Sequence, residues 1–208
     1  MAKLILLRHG ESTWNKENRF TGWMDVPLSE QGEREAAAAG ERMRDVRIDE
    51  VFTSVLKRAI DTTTIALESA GQPNAPIRYD SAINERMYGD LQGLNKADTA
   101  RRFGDEQVKL WRRGYDIAPP NGESLKDTAE RALPYFHETI MPEVLSGRNV
   151  LVSAHGNSLR AIVMDLDGLT REQVLELNIP NGIPIVYEIA ADGKVVDKQE
   201  LTGQAEVA

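Results

Sequence analysis

Cysteine is absent from the 208 residues, which excludes disulfides, thiolate catalysis and cysteine-based zinc or iron–sulfur sites. Long apolar runs are missing as well, so no stretch can span a bilayer. The opening Met1-Ala2-Lys3-Leu4-Ile5-Leu6-Leu7 has the flavour of a signal peptide, but it is too short and Arg8 cuts it off. There is no P-loop glycine-lysine signature, which argues against ATP binding of that kind, and no G-x-S-x-G nucleophile elbow. Net positive charge is absent: 33 acidic residues outnumber 25 basic ones, and the formal net charge of −8 disfavours general nucleic-acid binding and makes any local cluster of cations informative. Low-complexity segments, linkers and repeat periods are also missing. These absences leave one soluble domain spanning residues 1–208, expected in the cytoplasm, with no nucleic acid and no membrane as partner.

What is present says nearly the same thing twice. Lys3-Leu4-Ile5-Leu6-Leu7 runs into Arg8-His9-Gly10-Glu11-Ser12, and Asn149-Val150-Leu151-Val152-Ser153-Ala154 runs into His155-Gly156-Asn157-Ser158. Each apolar run capped by a glycine-containing turn reads as a buried parallel strand. Open α/β sheets gather their reactive groups beyond the carboxyl ends of such strands. Two of the three histidines are therefore offered to one crevice.

Between and after these runs, strands alternate with helices. Ser29 is placed to cap a helix through the Ala36–Ala39 run, Glu50–Thr53 reads as a strand, and Val55–Ala70 reads as a helix closed by Gly71. Ile77–Tyr79 forms a short strand, and weak helical patterns follow at Asp98–Phe103 and Glu106–Arg113. Ser124 with Asp127 starts another helix, which Pro134 and Pro142 should break or kink. Thr170–Leu177 reads as a short helix. Ile185–Ile189 and Val195–Leu201 form a hairpin across Asp192-Gly193. The pattern predicts a three-layer α/β/α sandwich, its sheet mainly parallel with at least one antiparallel strand.

A lone His-Gly at a strand end is more often a solvated turn, but its repetition makes an active site the better reading. Two imidazoles could ligate a metal, yet the nearest companions are arginines, which repel metal ions and attract phosphate. Arg58 lies just past the second strand and joins the same crevice near helix N-terminal amides. Arg8, Arg58 and a protonated or hydrogen-bonding His155 would then surround a phosphoryl group. The same arginines disfavour imidazolium and keep the His9 lone pair available. Glu85, in a dense polar loop, could shuttle a proton to and from a substrate hydroxyl. Lys96, Arg112 and Arg113 add positive charge for a small anion. His137 sits on a helix without any motif and receives no role.

Leu7-Arg8-His9-Gly10-Glu11-Ser12 resembles the signature of the histidine phosphatase superfamily. Phe20-Thr21-Gly22-Trp23, Asn84-Glu85-Arg86, Leu91-Gln92-Gly93-Leu94-Asn95-Lys96, Trp111-Arg112-Arg113-Gly114 and Ala154-His155-Gly156-Asn157-Ser158 extend the resemblance to its cofactor-dependent phosphoglycerate mutases. The resemblance implies interconversion of 3-phosphoglycerate and 2-phosphoglycerate, without a metal, through a phosphohistidine primed by 2,3-bisphosphoglycerate. It makes His9 the phosphate acceptor, Glu85 the proton carrier, and Arg8, Arg58 and His155 the binders of the phosphoryl group in flight. Ser12, Asn15, Thr21, Gly22, Arg86, Tyr88, Lys96, Arg112, Arg113, Gly156 and Asn157 would line the substrate site. The segment from Tyr115 to Gly122 is shorter than in longer family members, and the tail after Thr202 is brief; both regions bear on closure and on whether the chain forms a homo-oligomer. A phosphatase of the same superfamily, with water as acceptor, is the alternative.

Overall fold

The structure is a computed structural model that describes residues 1–203; the rest of the tail singled out above lies outside the described residues. Strand β1 (Ala2–Arg8) leads into a single helical turn, α1 (Thr13–Lys16), opened by a reciprocal cap between Ser12 and Asn15. Helix α2 (Glu30–Met43) begins where the Ser29 hydroxyl accepts the Gly32 N–H. Strand β2 (Glu50–Thr53), helix α3 (Lys57–Ser69) and strand β3 (Ile77–Tyr79) follow.

Helix α3 starts two residues later than the sequence pattern predicts. Ser54, Val55 and Leu56 stay outside the helix because their neighbourhood satisfies the backbone differently: Asn84 accepts the Val55 N–H, Ser54 Oγ that of Leu56, and Asp25 that of Lys57. Arg58 therefore stands in the first turn. Gly71, with φ of +73°, follows the helix in the left-handed region expected of a terminating glycine.

The polar excursion after β3 leads to α4 (Lys96–Phe103) and α5 (Asp105–Arg113), both slightly longer than their weak sequence patterns. Helix α6 (Leu125–Tyr135) opens with the Ser124–Asp127 capping box. Its prolines do not end the helical path. Past Pro134 the backbone widens into a π-helical turn over Phe136–Ile140, and Pro142 falls in the first turn of α7 (Met141–Leu145), where no amide donor is needed. Strand β4 (Val150–Ala154), helices α8 (Gly156–Asp167) and α9 (Arg171–Glu176), and strands β5 (Ile185–Ile189) and β6 (Val195–Glu200) complete the described chain.

Among the described residues the six strands form one sheet in the order β3-β2-β4-β1-β5-β6. The first four in that order run parallel; β5 opposes both β1 and β6. Alternation along β1 sends Leu4 and Leu6 into a layer with Phe136, Ile140, Leu159 and Ile162, and sends Ile5 and Leu7 into a layer with Ala39, Met43, Ala66 and Leu67. Helices thus cover both faces, as the alternating pattern predicted. No helix among the described residues is long and apolar enough to cross a membrane.

Candidate active site

Register brings the two histidines together. In the parallel pairing of β1 with β4, Arg8 stands opposite Ala154, so His9 and His155 are the next residues on adjacent strands. The His9 N–H donates to the Ala154 carbonyl at 3.1 Å, and the two rings lie 5.0 Å apart, centre to centre. On the other flank, Thr53 pairs with Ser153, which sets Ser54 beside His155 with Oγ 2.6 Å from Nε2. Both rings are buried.

The surroundings of His9 select one protonation state. The Gly10 carbonyl lies 2.6 Å from Nδ1 and can only accept, so Nδ1 carries the proton. Nε2 keeps its lone pair and receives the Arg58 Nε–H at 3.3 Å. Burial first, then Arg58 and Arg8, hold the His9 pKa well below its ordinary value. His155 is likewise lowered, by burial and then by Arg58 and His9. Two neutral imidazoles thus stand in strongly cationic surroundings.

Above His9 opens a cavity of about 220 Å³. Arg8, Arg19, Arg58, Lys96, Arg112, Arg113 and Arg160 line it, against the single carboxylate of Glu85. Burial lowers the Arg58 and Arg160 guanidinium groups to about 10 and, with Arg112 and Arg8 nearby, lowers Lys96 to about 8. Arg8 donates to the Ile179 carbonyl at 2.7 Å, while its buried Nε has no partner; nor does the buried hydroxyl of Thr21. Buried donors left open beside a cavity fit an anionic, oxygen-rich guest.

Glu85 reaches the cavity from the loop after β3. Its Oε1 accepts the Arg86 N–H at 2.8 Å and the Asn157 N–H, in the first turn of α8, at 3.1 Å. Ligand atoms of His9, Glu85 and His155 come within 4.8 Å of one another, so the carboxylate that the sequence did not visibly place beside the histidines is there in space. The set is poorly suited to a metal all the same. His9 Nε2 faces a guanidinium donor, Glu85 Oε1 is engaged by two amides, and fixed cations crowd the cluster.

Most residues expected at the site line the cavity: Arg8, His9, Asn15, Thr21, Gly22, Arg58, Glu85, Tyr88, Lys96, Arg112, Arg113, Gly156 and Asn157. Three do not. Ser12 is fully buried and spends its hydroxyl capping α1, accepting the Asn15 N–H. Arg86 is fully buried and braces the wall, donating to the Trp111 carbonyl and the Asn157 side chain. His155 lies behind the lining, between His9 and Ser54. The segment 115–122 folds against the Tyr88–Asp90 turn, with the Asp90 N–H donating to the Pro120 carbonyl. His137 remains remote, pairing with Asp165 on the surface.

Arg160 and Ser54 were missed. Arg160 stands one helical turn after Gly156, on the same face of α8, and that spacing was a usable signal. Arg19 and Asn178 also line the cavity; nothing in the local sequence marks Arg19, whereas Asn178 lies in the Leu177–Gly182 stretch that extends the family resemblance.

Fold and cavity together define an α/β/α protein that presents an uncharged histidine to a cavity lined by seven cationic side chains. The chain belongs to the histidine phosphatase superfamily (branch 1), which it matches over residues 4–202. It is 57% identical over 198 residues to a phosphoglycerate mutase of Schizosaccharomyces pombe, covering 94% of each chain. It is 56% identical over 200 residues to a 2,3-bisphosphoglycerate-dependent phosphoglycerate mutase of Parvibaculum lavamentivorans, covering 95% of each. Among solved structures, a mycobacterial glucosyl-3-phosphoglycerate phosphatase in complex with VO3 superposes with a TM-score of 0.82 at 28% identity, over 96% of this chain and 97% of that one.

Proposed function

We propose that the protein interconverts 3-phosphoglycerate and 2-phosphoglycerate through a phosphorylated His9. The observation that carries this reading is the pairing of a neutral His9, its Nε2 open, with seven cationic side chains against one carboxylate. That excess suits a three-carbon acid bearing a carboxylate and up to two phosphates better than it suits a monoester awaiting hydrolysis. The relatives' names support the same choice.

When bound, 2,3-bisphosphoglycerate supplies the phosphoryl group that charges His9. Nε2 forms the N–P bond as the P–O bond breaks, and Glu85 gives its proton to the departing oxygen. Arg8 and Arg58 hold the equatorial oxygens, where charge spreads during transfer. Lys96, Arg112 and Arg113 hold the carboxylate and the resting phosphate while the acid reorients. In the return step Glu85 takes the proton of the attacking hydroxyl. No metal is required, because fixed cations already do the electrostatic work.

Intact-mass analysis after mixing with 2,3-bisphosphoglycerate tests this. One acid-labile phosphoryl group is expected on the enzyme, none on His9→Ala, and primed turnover of 3-phosphoglycerate that a chelator leaves unchanged. Labelling and mutase turnover in His9→Ala would remove His9 from the reaction. Stoichiometric release of free phosphate without 2-phosphoglycerate would make the protein a phosphatase.

A further inference from the structure

Glu85 has a short, flexible side chain on an irregular loop, yet proton exchange needs its carboxyl placed to within a fraction of an ångström. What fixes the loop is one side chain on a different element. Arg131, in the second turn of α6, donates through Nη1 to the carbonyls of Ser81, Ala82 and Asn84 at 3.4, 2.8 and 3.1 Å. Nη2 donates to the carbonyl of Glu85 itself at 2.7 Å. The remaining reach goes to Glu123, whose two oxygens accept from Nε and Nη2 at 2.9 Å each.

Glu123 closes the arrangement from the other side. Its Oε2 accepts the Met87 N–H at 2.9 Å, so backbone on both sides of Glu85 is bound to one ion pair. Trp23, whose ring lies 5.4 Å from the Arg131 guanidinium carbon, adds its indole N–H to the Glu85 carbonyl at 2.6 Å. The pair is about four-fifths buried, with side chains 21% and 20% exposed, so water screens it little. Only arginine fits this place. Its planar fork can serve three carbonyls, a fourth and a carboxylate at once, whereas a lysine ammonium is a single point.

We propose that Arg131 is a positioning residue for the reaction: with Glu123 it clasps residues 81–87 onto α6 and so holds the Glu85 carboxyl at the mouth of α8. The role rests on the reading of Glu85 as the proton carrier. It does not require Arg131 to touch substrate, and Arg131 is not among the residues lining the cavity.

A merely structural role and a positioning role separate by leaving group. The test measures single-turnover phosphorylation of His9 by 2,3-bisphosphoglycerate, whose alkoxide must be protonated as it leaves, and by 4-nitrophenyl phosphate, whose phenolate leaves unassisted. The ratio of the two rates is independent of how much enzyme is folded. Arg131→Met should slow the first reaction about tenfold to a hundredfold, the scale for a catalytic group displaced by about an ångström, and the second less than about threefold. Arg131→Lys should behave like Arg131→Met. Glu85→Gln should show the same selectivity, and adding Arg131→Met to it should cost nothing more, because both changes act through one carboxyl. Equal losses with both donors, or no loss with either, would overturn the clasp. If Glu85→Gln itself shows no dependence on leaving group, the proton-carrier reading falls, and the clasp falls with it.

Discussion

The Nε–H of Arg58 points at Nε2 of His9 across 3.3 Å, from a guanidinium whose other two nitrogens are tied to the carbonyls of Met24 and Gly22. On the far side of the ring, Nδ1 faces the Gly10 carbonyl. One neighbour can only donate and the other can only accept, so the imidazole has a single comfortable state, neutral with its lone pair on Nε2. Arg58 thereby protects Nε2 from protonation and, under the proposed function, stands where a phosphoryl oxygen would arrive. On that reading, the N–H now spent on Nε2 would become available once that nitrogen bonds phosphorus.

The first prediction concerns pH. With His9 held well below its ordinary pKa, phosphorylation of the enzyme should show no acid limb near pH 6.5. Arg58→Met removes one of the causes of that depression. The limb should then move upward toward neutrality, because a proton competes for Nε2 at higher pH. The plateau rate should fall as well, by about 10²–10³, as when one oxyanion donor is lost. Single-turnover labelling across pH 5–8 measures both. An unmoved limb would assign the depression to burial and Arg8 rather than to Arg58.

A second prediction concerns acid stability. His9 and His155 are both lowered in the folded chain relative to 6.5. Below pH 6.5 the unfolded chain binds protons that the folded chain refuses. Unfolding free energy should therefore be unaffected by this pair above pH 6.5 and decline as pH falls beneath it, by about 1.4 kcal/mol per pH unit for each histidine. Urea midpoints between pH 7 and 5 should show the slope, and His9→Gln should roughly halve the part due to the pair. A slope unchanged in that variant would mean that carboxylates, not imidazoles, cause it.

Much of this site was legible in the sequence because parallel strands obey a simple rule: reactive residues follow the carboxyl ends. The His9 and His155 repeats needed only that rule, and the register of β1 against β4 then left them adjacent. Ser12 and Arg86 carried the right motif for the site yet were spent on local tasks, a helix cap and a wall brace, which motif position alone cannot distinguish from lining. Arg131 was invisible for the opposite reason. Its partners at Ser81–Glu85 lie 46 to 50 residues away, and irregular backbone has no period to announce where its carbonyls will point. The late start of α3 has a similar origin, since the Lys57 amide is capped by Asp25 from a distant loop.

A third prediction follows from the close approach behind His9. A Cβ on Gly10 would lie 2.2 Å from the Gly32 carbonyl oxygen, and a Cβ on Gly32 would lie 2.0 Å from that of Glu11. Both obstacles are backbone, one at the end of β1 and the other in the first turn of α2, so neither can rotate aside. Gly10→Ala must push α2 off the strand end or tilt the His9 turn. A loss of about 2–3 kcal/mol is expected, the upper part of the range for overpacking, with weakened labelling of whatever folds. Denaturant midpoints would show it. An unchanged midpoint would mean that the α2 contact is soft.

The fourth prediction isolates Lys96. Burial, then Arg112 and Arg8, lower its pKa to about 8, so in the free enzyme its charge is lost as pH rises through that value. An anion entering the cavity pulls the other way, restoring the proton and the charge. kcat/KM, which reports free-enzyme groups, should therefore decline above pH 8, while kcat holds to higher pH because the bound state keeps Lys96 protonated. Lys96→Arg stays charged throughout, so its kcat/KM should lose that alkaline limb. Lys96→Met should lower kcat/KM most below pH 8, with the gap to the parent narrowing above it, and show no limb of its own. An alkaline limb that persists unchanged in Lys96→Arg would belong to another group, and Lys96 would then bind substrate as an ordinary, permanently charged lysine.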